Sequence, residues 1–263
     1  MSVIRSRDNV RVYRWRKLLA SARARRGEGR ALIEGVHLVE ALLASGRRPA
    51  ALIASESGCG RSEIAALIRN SGLQPVVLAD RLFSGLADTE TPTGIAAEIA
   101  PPDEEPDLAA ARSCAFLEGV QDAGNVGAIL RSAAAFAIGD VVLGPGCADA
   151  WSPKALRAGM GAHFALRIGT RTDLLAALND FGGTVACTVV REGVPLEKAD
   201  LRGRIGWIFG GEGQGVSATL AARAALRVTI PMPGETESLN VAAAAAICFY
   251  ERARQLSTSA ARA

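Results

Sequence analysis

Apolar residues recur at helical spacing from Gly35 to Leu43 and stop at Ser45-Gly46, which predicts an amphipathic helix. Ala50 to Ala54 reads as a short buried strand. The helical pattern returns from Ser62 to Asn70 and closes at Ser71-Gly72, and Pro75-Val76-Val77-Leu78 is strand-like. This alternation predicts a small α/β domain ending near Ile99, taken as residues 1–100. Pro101 to Pro106, Pro-Pro-Asp-Glu-Glu-Pro, joins stiffness to like charge and offers a core nothing, so 101–111 is expected to be a linker.

Beyond the linker the pattern restarts. Strands are predicted at Cys114–Leu117, Val141–Leu143, Thr184–Val190 and Ile205–Phe209. Helices are predicted at Val126–Ala137, Lys154–Met160, Leu174–Asn179 and Val241–Gln255. Strands separated by helices imply a mostly parallel sheet covered on both faces, so residues 112–263 form a second α/β domain.

Composition agrees with a packed α/β chain: 49% of the 263 residues are hydrophobic, 28 are glycine and only 5% are aromatic. No apolar run reaches the roughly 18 residues of a membrane span, and the N-terminus lacks the apolar core of a signal peptide, so the expected location is the cytoplasm. Five scattered cysteines, Cys59, Cys114, Cys147, Cys187 and Cys248, fit thiols in a reducing compartment and form no zinc-like spacing, so no metal is expected. Charge is uneven. The first 30 residues carry ten basic side chains against Asp8 and Glu28, a net +8 in a chain of net +3. This basic arm, interleaved with Tyr13 and Trp15, suits nucleic acid, since phosphate contacts release counterions and aromatics stack on bases; a solvated arm without a partner is the alternative.

Three polar, glycine-bearing segments follow predicted strands of the second domain, where open parallel sheets place ligands. The first is Leu117-Glu118-Gly119-Val120-Gln121-Asp122-Ala123-Gly124-Asn125-Val126-Gly127, ending its motif at Arg131. With Asn125 at a helix start, both Asn125 and Arg131 can face the strand ends; an N-cap asparagine and a surface arginine are the plain alternative. The second is Gly210-Gly211-Glu212-Gly213-Gln214-Gly215. Its glycines let backbone approach a ligand, no lysine follows as in a phosphate loop, and Glu212 would repel an anion but tolerate a ligand carrying positive charge. The third runs from Ile230-Pro231-Met232 to Ser238-Leu239-Asn240-Val241, where Ser238 or Asn240 can also simply cap the long helix.

Together, Asn125-x-Gly127-x-x-x-Arg131, Gly210-Gly211-Glu212-Gly213-x-Gly215, and Ile230-Pro231-Met232 with Ser238-Leu239-Asn240-Val241 resemble the ordered motifs of the SpoU, or TrmH, family of RNA ribose methyltransferases in the SPOUT superfamily. Asp149 to Ala162 is similar to a further family stretch, with Gly159 where a serine is common. Glu34-Gly35 and Thr91-Pro92-Thr93-Gly94-Ile95 resemble the family's N-terminal substrate-binding domain of ribosomal-protein L30e type.

The resemblance implies a SPOUT-type catalytic domain whose C-terminal part is threaded into a trefoil knot, an exception to unknotted connections. It also implies a homodimer, S-adenosylmethionine as cofactor, and 2'-O-ribose methylation of RNA. Gly210, Gly211, Glu212, Gly213, Ile230, Pro231, Met232, Ser238, Leu239 and Asn240 would bind the cofactor. Arg131 would hold the RNA phosphate and favour the developing alkoxide, an electrostatic role because arginine rarely loses its proton, with Asn125, Glu212, Ser238 and Asn240 orienting the reactants. A separate basic N-terminal domain favours ribosomal over transfer RNA. Two competing readings are a non-catalytic, ribosome-associated RNA-binding protein and a nucleotide-dependent oxidoreductase; the latter lacks an early glycine fingerprint. His37 and His163 are expected to be packing residues.

Overall fold

A computed structural model describes residues 3–87 and 91–260. They form two compact units. The first takes the chain up to Asp103 together with Asp149–Phe164; the second takes Glu104–Ala148 and the chain from Ala165 onward.

The first unit runs β1 (Val3–Ile4), α1 (Val10–Ala20), α2 (Ala22–Glu28), β2 (Ala31–Glu34), α3 (Val36–Ala44), β3 (Ala51–Ser55), α4 (Ser62–Ser71), β4 (Val76–Leu78), α5 (Asp80–Ser84) and β5 (Ile95–Ile99). Its sheet order is β1-β4-β3-β5-β2, with β5 antiparallel to both of its neighbours. Because side chains alternate across a strand, Ile33, Leu52, Ile95 and Ala97 face the layer of α3 and α4. Leu32, Ile53, Leu78 and Ala96 face the layer of α1 and α5. Leu156 and Phe164, from the returning segment, complete the first of these cores.

The basic N-terminal stretch is not a free arm. Val12, Trp15 and Leu18 recur at helical spacing on α1 and are buried, each contributing about 1.5–3 kcal/mol of apolar burial. Trp15 is 1% exposed and its Nε1 donates to Glu98 Oε2 at 2.8 Å, so it has no free face for a base. Arg25 is also buried. Its Nε donates to Asp149 Oδ2 at 2.7 Å and its Nη1 to the carbonyls of Leu18 and Leu19. Tyr13, in contrast, is exposed.

His163 is fully buried in the returning segment. Its Nε2–H donates to the Ala150 carbonyl at 2.8 Å, its ring lies 5.2 Å from that of Trp151, and among the described residues Nδ1 has no partner. Burial pushes its pKa down to about 4, so the folded state holds it neutral. Stability linked to this group is fully present above the ordinary histidine pKa of about 6.5 and drains away as pH falls toward 4, by about 3 kcal/mol in total. Urea melts at pH 7.0 and 4.5 should show this loss in the wild type and a smaller one in His163→Leu; equal losses in both would refute it.

The second unit runs β6 (Ser113–Glu118), α6 (Ala123–Ala135) and β7 (Asp140–Leu143). After α7 (Pro153–Gly159), which lies in the segment given to the first unit, it resumes with β8 (Arg167–Thr170), α8 (Leu174–Phe181), β9 (Thr184–Thr188), β10 (Val194–Pro195), β11 (Ile205–Gly210), α9 (Ala218–Ala221), β12 (Leu226–Thr229) and α10 (Val241–Ala260). Among the described residues the sheet has seven strands in the order β10-β12-β9-β11-β6-β7-β8, and every pair is parallel. Phe116, Cys187 and Ile208 pack beneath α8 on one face. On the other face Trp207 stacks on Phe209, which meets Phe249 of α10 edge-on at 5.5 Å. Strand order reverses at β6, because β7 and β8 lie to one side and β11, β9, β12 and β10 to the other. Ligands of open parallel sheets bind at the strand C-termini beside such a reversal.

Candidate active site

At that edge the chain leaves β11 through Gly210 and Gly211 and turns back on itself, with Gly215 N donating to the Gly211 carbonyl at 3.0 Å. The glycines are required by space and by backbone. A methyl on Gly210 would overlap the carbonyl of Gly215 and the nitrogen of Val216, and one on Gly211 would overlap the Gly119 carbonyl. Gly213 and Gly215 have φ of +91° and +66°, the left-handed region that glycine alone enters without strain. Ser217 N donates to Glu118 Oε2 at 2.8 Å and Gly211 N to the Glu118 carbonyl at 2.8 Å, tying the loop to the end of β6.

The loop forms one wall of a cavity of about 510 Å³. Gly210, Gly211, Glu212 and Gly213 line it, opposite Ile230 and Met232 beyond β12 and Ser238, Leu239 and Asn240 before α10. Nine of the ten residues expected at a cofactor site thus line one cavity, and Pro231 lies between two of them. Thr188, Val189 and Val190 at the end of β9 also line it, with Gln214, Gly215, Val216, Val241 and Ala244. The β9 residues were legible as a strand end but carried no glycine or charge to mark them as part of a site.

Three of the candidate catalytic side chains are joined. Asn240 caps α10, its Oδ1 accepting from Ala242 N at 2.9 Å and Ala243 N at 3.3 Å. That fixes the amide orientation, since the oxygen must face the helix amides. Its Nδ2 therefore donates outward, to Asn125 Oδ1 at 3.1 Å. Asn125 Nδ2 in turn donates to the Glu212 carboxylate. The chain of dipoles runs from the α10 terminus to an anion, so each bond polarises the next. Asn125 does not cap its own helix. Asp122 does, accepting from Asn125 N at 3.0 Å, which leaves the Asn125 side chain free for this relay.

Ser238 is exposed on the cavity wall. Arg131 lies six residues beyond Asn125 on α6, about 9 Å along the axis and about 120° around it. It is exposed, and among the described residues it makes no hydrogen bond or ion pair. The structure thus joins Asn125, Glu212 and Asn240 at the cavity and leaves Arg131 as an uncommitted cation on the same helix as Asn125.

Comparison with known proteins covers almost the whole chain. Residues 113–250 match the SpoU rRNA Methylase family, and residues 9–97 match the MRM3-like substrate binding domain. The 23S rRNA (guanosine(2553)-2'-O)-methyltransferase RlmP of Bacillus subtilis is 36% identical over 95% of this chain and 98% of its own length. A crystal structure of an RNA 2'-O ribose methyltransferase is 27% identical, with a TM-score of 0.81 over 97% of this chain and 99% of that one. The SpoU methyltransferase AviRb of Streptomyces viridochromogenes, solved in complex with the cofactor AdoMet, shares the fold at 24% identity, with a TM-score of 0.84 over 94% of this chain and 98% of that one. A family model that matches residues 113–250, more than half of the chain, together with a relative 36% identical over 95% of it, means that the chain belongs to the SpoU rRNA Methylase family.

Proposed function

We propose that this chain is an S-adenosylmethionine-dependent methyltransferase that modifies a ribose 2'-hydroxyl of ribosomal RNA. The observation that carries the reading is the glycine-walled cavity at the strand ends with the Asn240–Asn125–Glu212 relay at its rim. The Bacillus subtilis relative, named for the same reaction on 23S rRNA, supports the substrate class.

The cavity suits the cofactor. Its volume lies within the roughly 300–1,000 Å³ of small-ligand sites. Backbone amides and carbonyls of Gly210 to Gly215 and Ile230 to Met232 provide donors and acceptors for an adenine edge, and Glu212 puts negative charge where a cationic ligand is favoured. When bound, the cofactor supplies a methyl group on a positively charged sulfur. The residues around it would chiefly align the ribose oxygen with that group. The relay holds Glu212 and Asn125 in fixed orientation, and Ser238 contributes a hydroxyl to the cavity wall. Arg131 grips the RNA phosphate beside the reacting ribose and stabilises negative charge developing on the 2'-oxygen.

In this reading residues 1–100 hold the RNA, 101–111 link, and 112–263 catalyse, with the C-terminal part threaded as a trefoil knot. The active form is a homodimer, supported by Ile247 and Tyr250, 38% and 55% exposed on α10. It works in the cytoplasm on ribosomal RNA; no helix among the described residues is long and apolar enough to cross a membrane.

Transfer of tritiated methyl from S-adenosylmethionine to purified ribosomal and transfer RNA pools, followed by nucleoside mass analysis, tests the reading. Label on a ribose in ribosomal RNA is expected, label in transfer RNA alone would replace the substrate class, and absence of both label and cofactor binding would favour a non-catalytic RNA-binding protein. Arg131→Ala is expected to lower kcat by about 10²–10³-fold with cofactor affinity unchanged. Full activity in that variant would remove Arg131 from the mechanism.

A further inference from the structure

The first unit contains a second cavity, of about 390 Å³, which methyl transfer leaves unused. Arg11, Arg14 and Trp15 of α1 line it, with Ala50 before β3, Gln74 before β4, and Glu98 of β5. Arg14 is pinned at all three guanidinium nitrogens. Nε donates to Glu28 Oε2 at 2.6 Å, and Nη1 and Nη2 donate to the two oxygens of Glu98, both at 2.9 Å. Two carboxylates thus meet its charge and hold it as a flat plate, still 38% exposed. Arg11 and Gln74 are both exposed, and among the described residues neither side chain makes a hydrogen bond or ion pair.

A rigid planar face, an amide that both donates and accepts, and an uncommitted cation on one cavity are what a single nucleotide requires. Unstacked bases lie on guanidinium planes, amides read base edges, and a free arginine takes a phosphate. A small inorganic anion would use Arg11 alone and leave the plate and the amide idle. We infer that this cavity is a subsite for one unpaired nucleotide of the RNA substrate, its base on Arg14, its edge read by Gln74 and its phosphate held by Arg11. The inference rests on the proposed action on RNA and adds a specificity determinant remote in sequence from the methyl-transfer motifs.

The test is steady-state methylation of the ribosomal RNA pool by the full-length protein at saturating S-adenosylmethionine. Gln74→Leu is expected to raise KM for RNA about tenfold with kcat and cofactor affinity unchanged, a loss that charge removal cannot explain. Arg11→Gln should raise KM about fivefold at low salt and reduce the salt dependence by about one phosphate contact. An active wild type with KM unchanged in both variants, or with kcat altered instead, would overturn the subsite and leave the methyltransferase reading intact. A wild type that methylates no RNA would overturn both.

Discussion

Gly210→Ala is expected to weaken S-adenosylmethionine binding by more than about a hundredfold, equivalent to about 2.7 kcal/mol. The added methyl meets backbone atoms of Gly215 and Val216, so no side-chain rotation relieves the overlap. The loop must open, and with it the cavity wall formed by Gly210 to Gly215. Overpacking of this kind costs about 1–3 kcal/mol even where neighbours yield. Gly203→Ala is the matched control, because a methyl there meets nothing within 4 Å and the backbone is unstrained. Calorimetric titration of both variants decides the matter: wild-type affinity in Gly210→Ala would show that the loop closes differently when the cofactor is present.

Asn125→Asp should cost activity by about 10²–10³-fold with little change in size or fold. The replacement keeps the shape, still accepts from Asn240, and loses the donor that meets Glu212. Two carboxylates then face each other, which raises the pKa of one of them. Below that raised pKa the pair shares a proton and a donor is restored, so the defect should shrink as pH falls. A rate deficit independent of pH between 5 and 8 would show that the relay is structural. Asn240→Ala provides a complementary check, since loss of a helix cap costs about 1 kcal/mol of stability in addition to breaking the relay.

Much of this arrangement was legible in the chain. The parallel-sheet unit follows from strand and helix patterns that fall within a few residues of β6, α6, β7, β9, β11 and α10. Glycine followed by polar residues at strand ends marked the cavity wall. The sequence hid what depends on packing in three dimensions. Val12, Trp15 and Leu18 carry a helical apolar spacing, but the arginines between them made Trp15 look available for stacking when it is core. Short β2 and β5 have no clear signature in the sequence, because alanine-containing runs of four or five residues lack a distinct period. Asp122 and Asn125 are both cap-forming residue types three positions apart, and only the fold shows that Asp122 takes the helix terminus. No pattern in one dimension reveals that Gln74 and Arg14, sixty residues apart, line one cavity.

The inclusion of Asp149–Phe164 in the first unit has a consequence for synthesis. At about 5–20 residues per second, the N-terminal hundred residues emerge several seconds before Leu156 and Phe164 are made. Until then the core beside α3 and α4 lacks two of its buried side chains, Arg25 lacks Asp149, and the nascent unit holds an open apolar face. The first half of this protein is therefore finished only after translation of the second has begun, and a fragment cut at the linker should bind chaperones or aggregate rather than fold as a free-standing module.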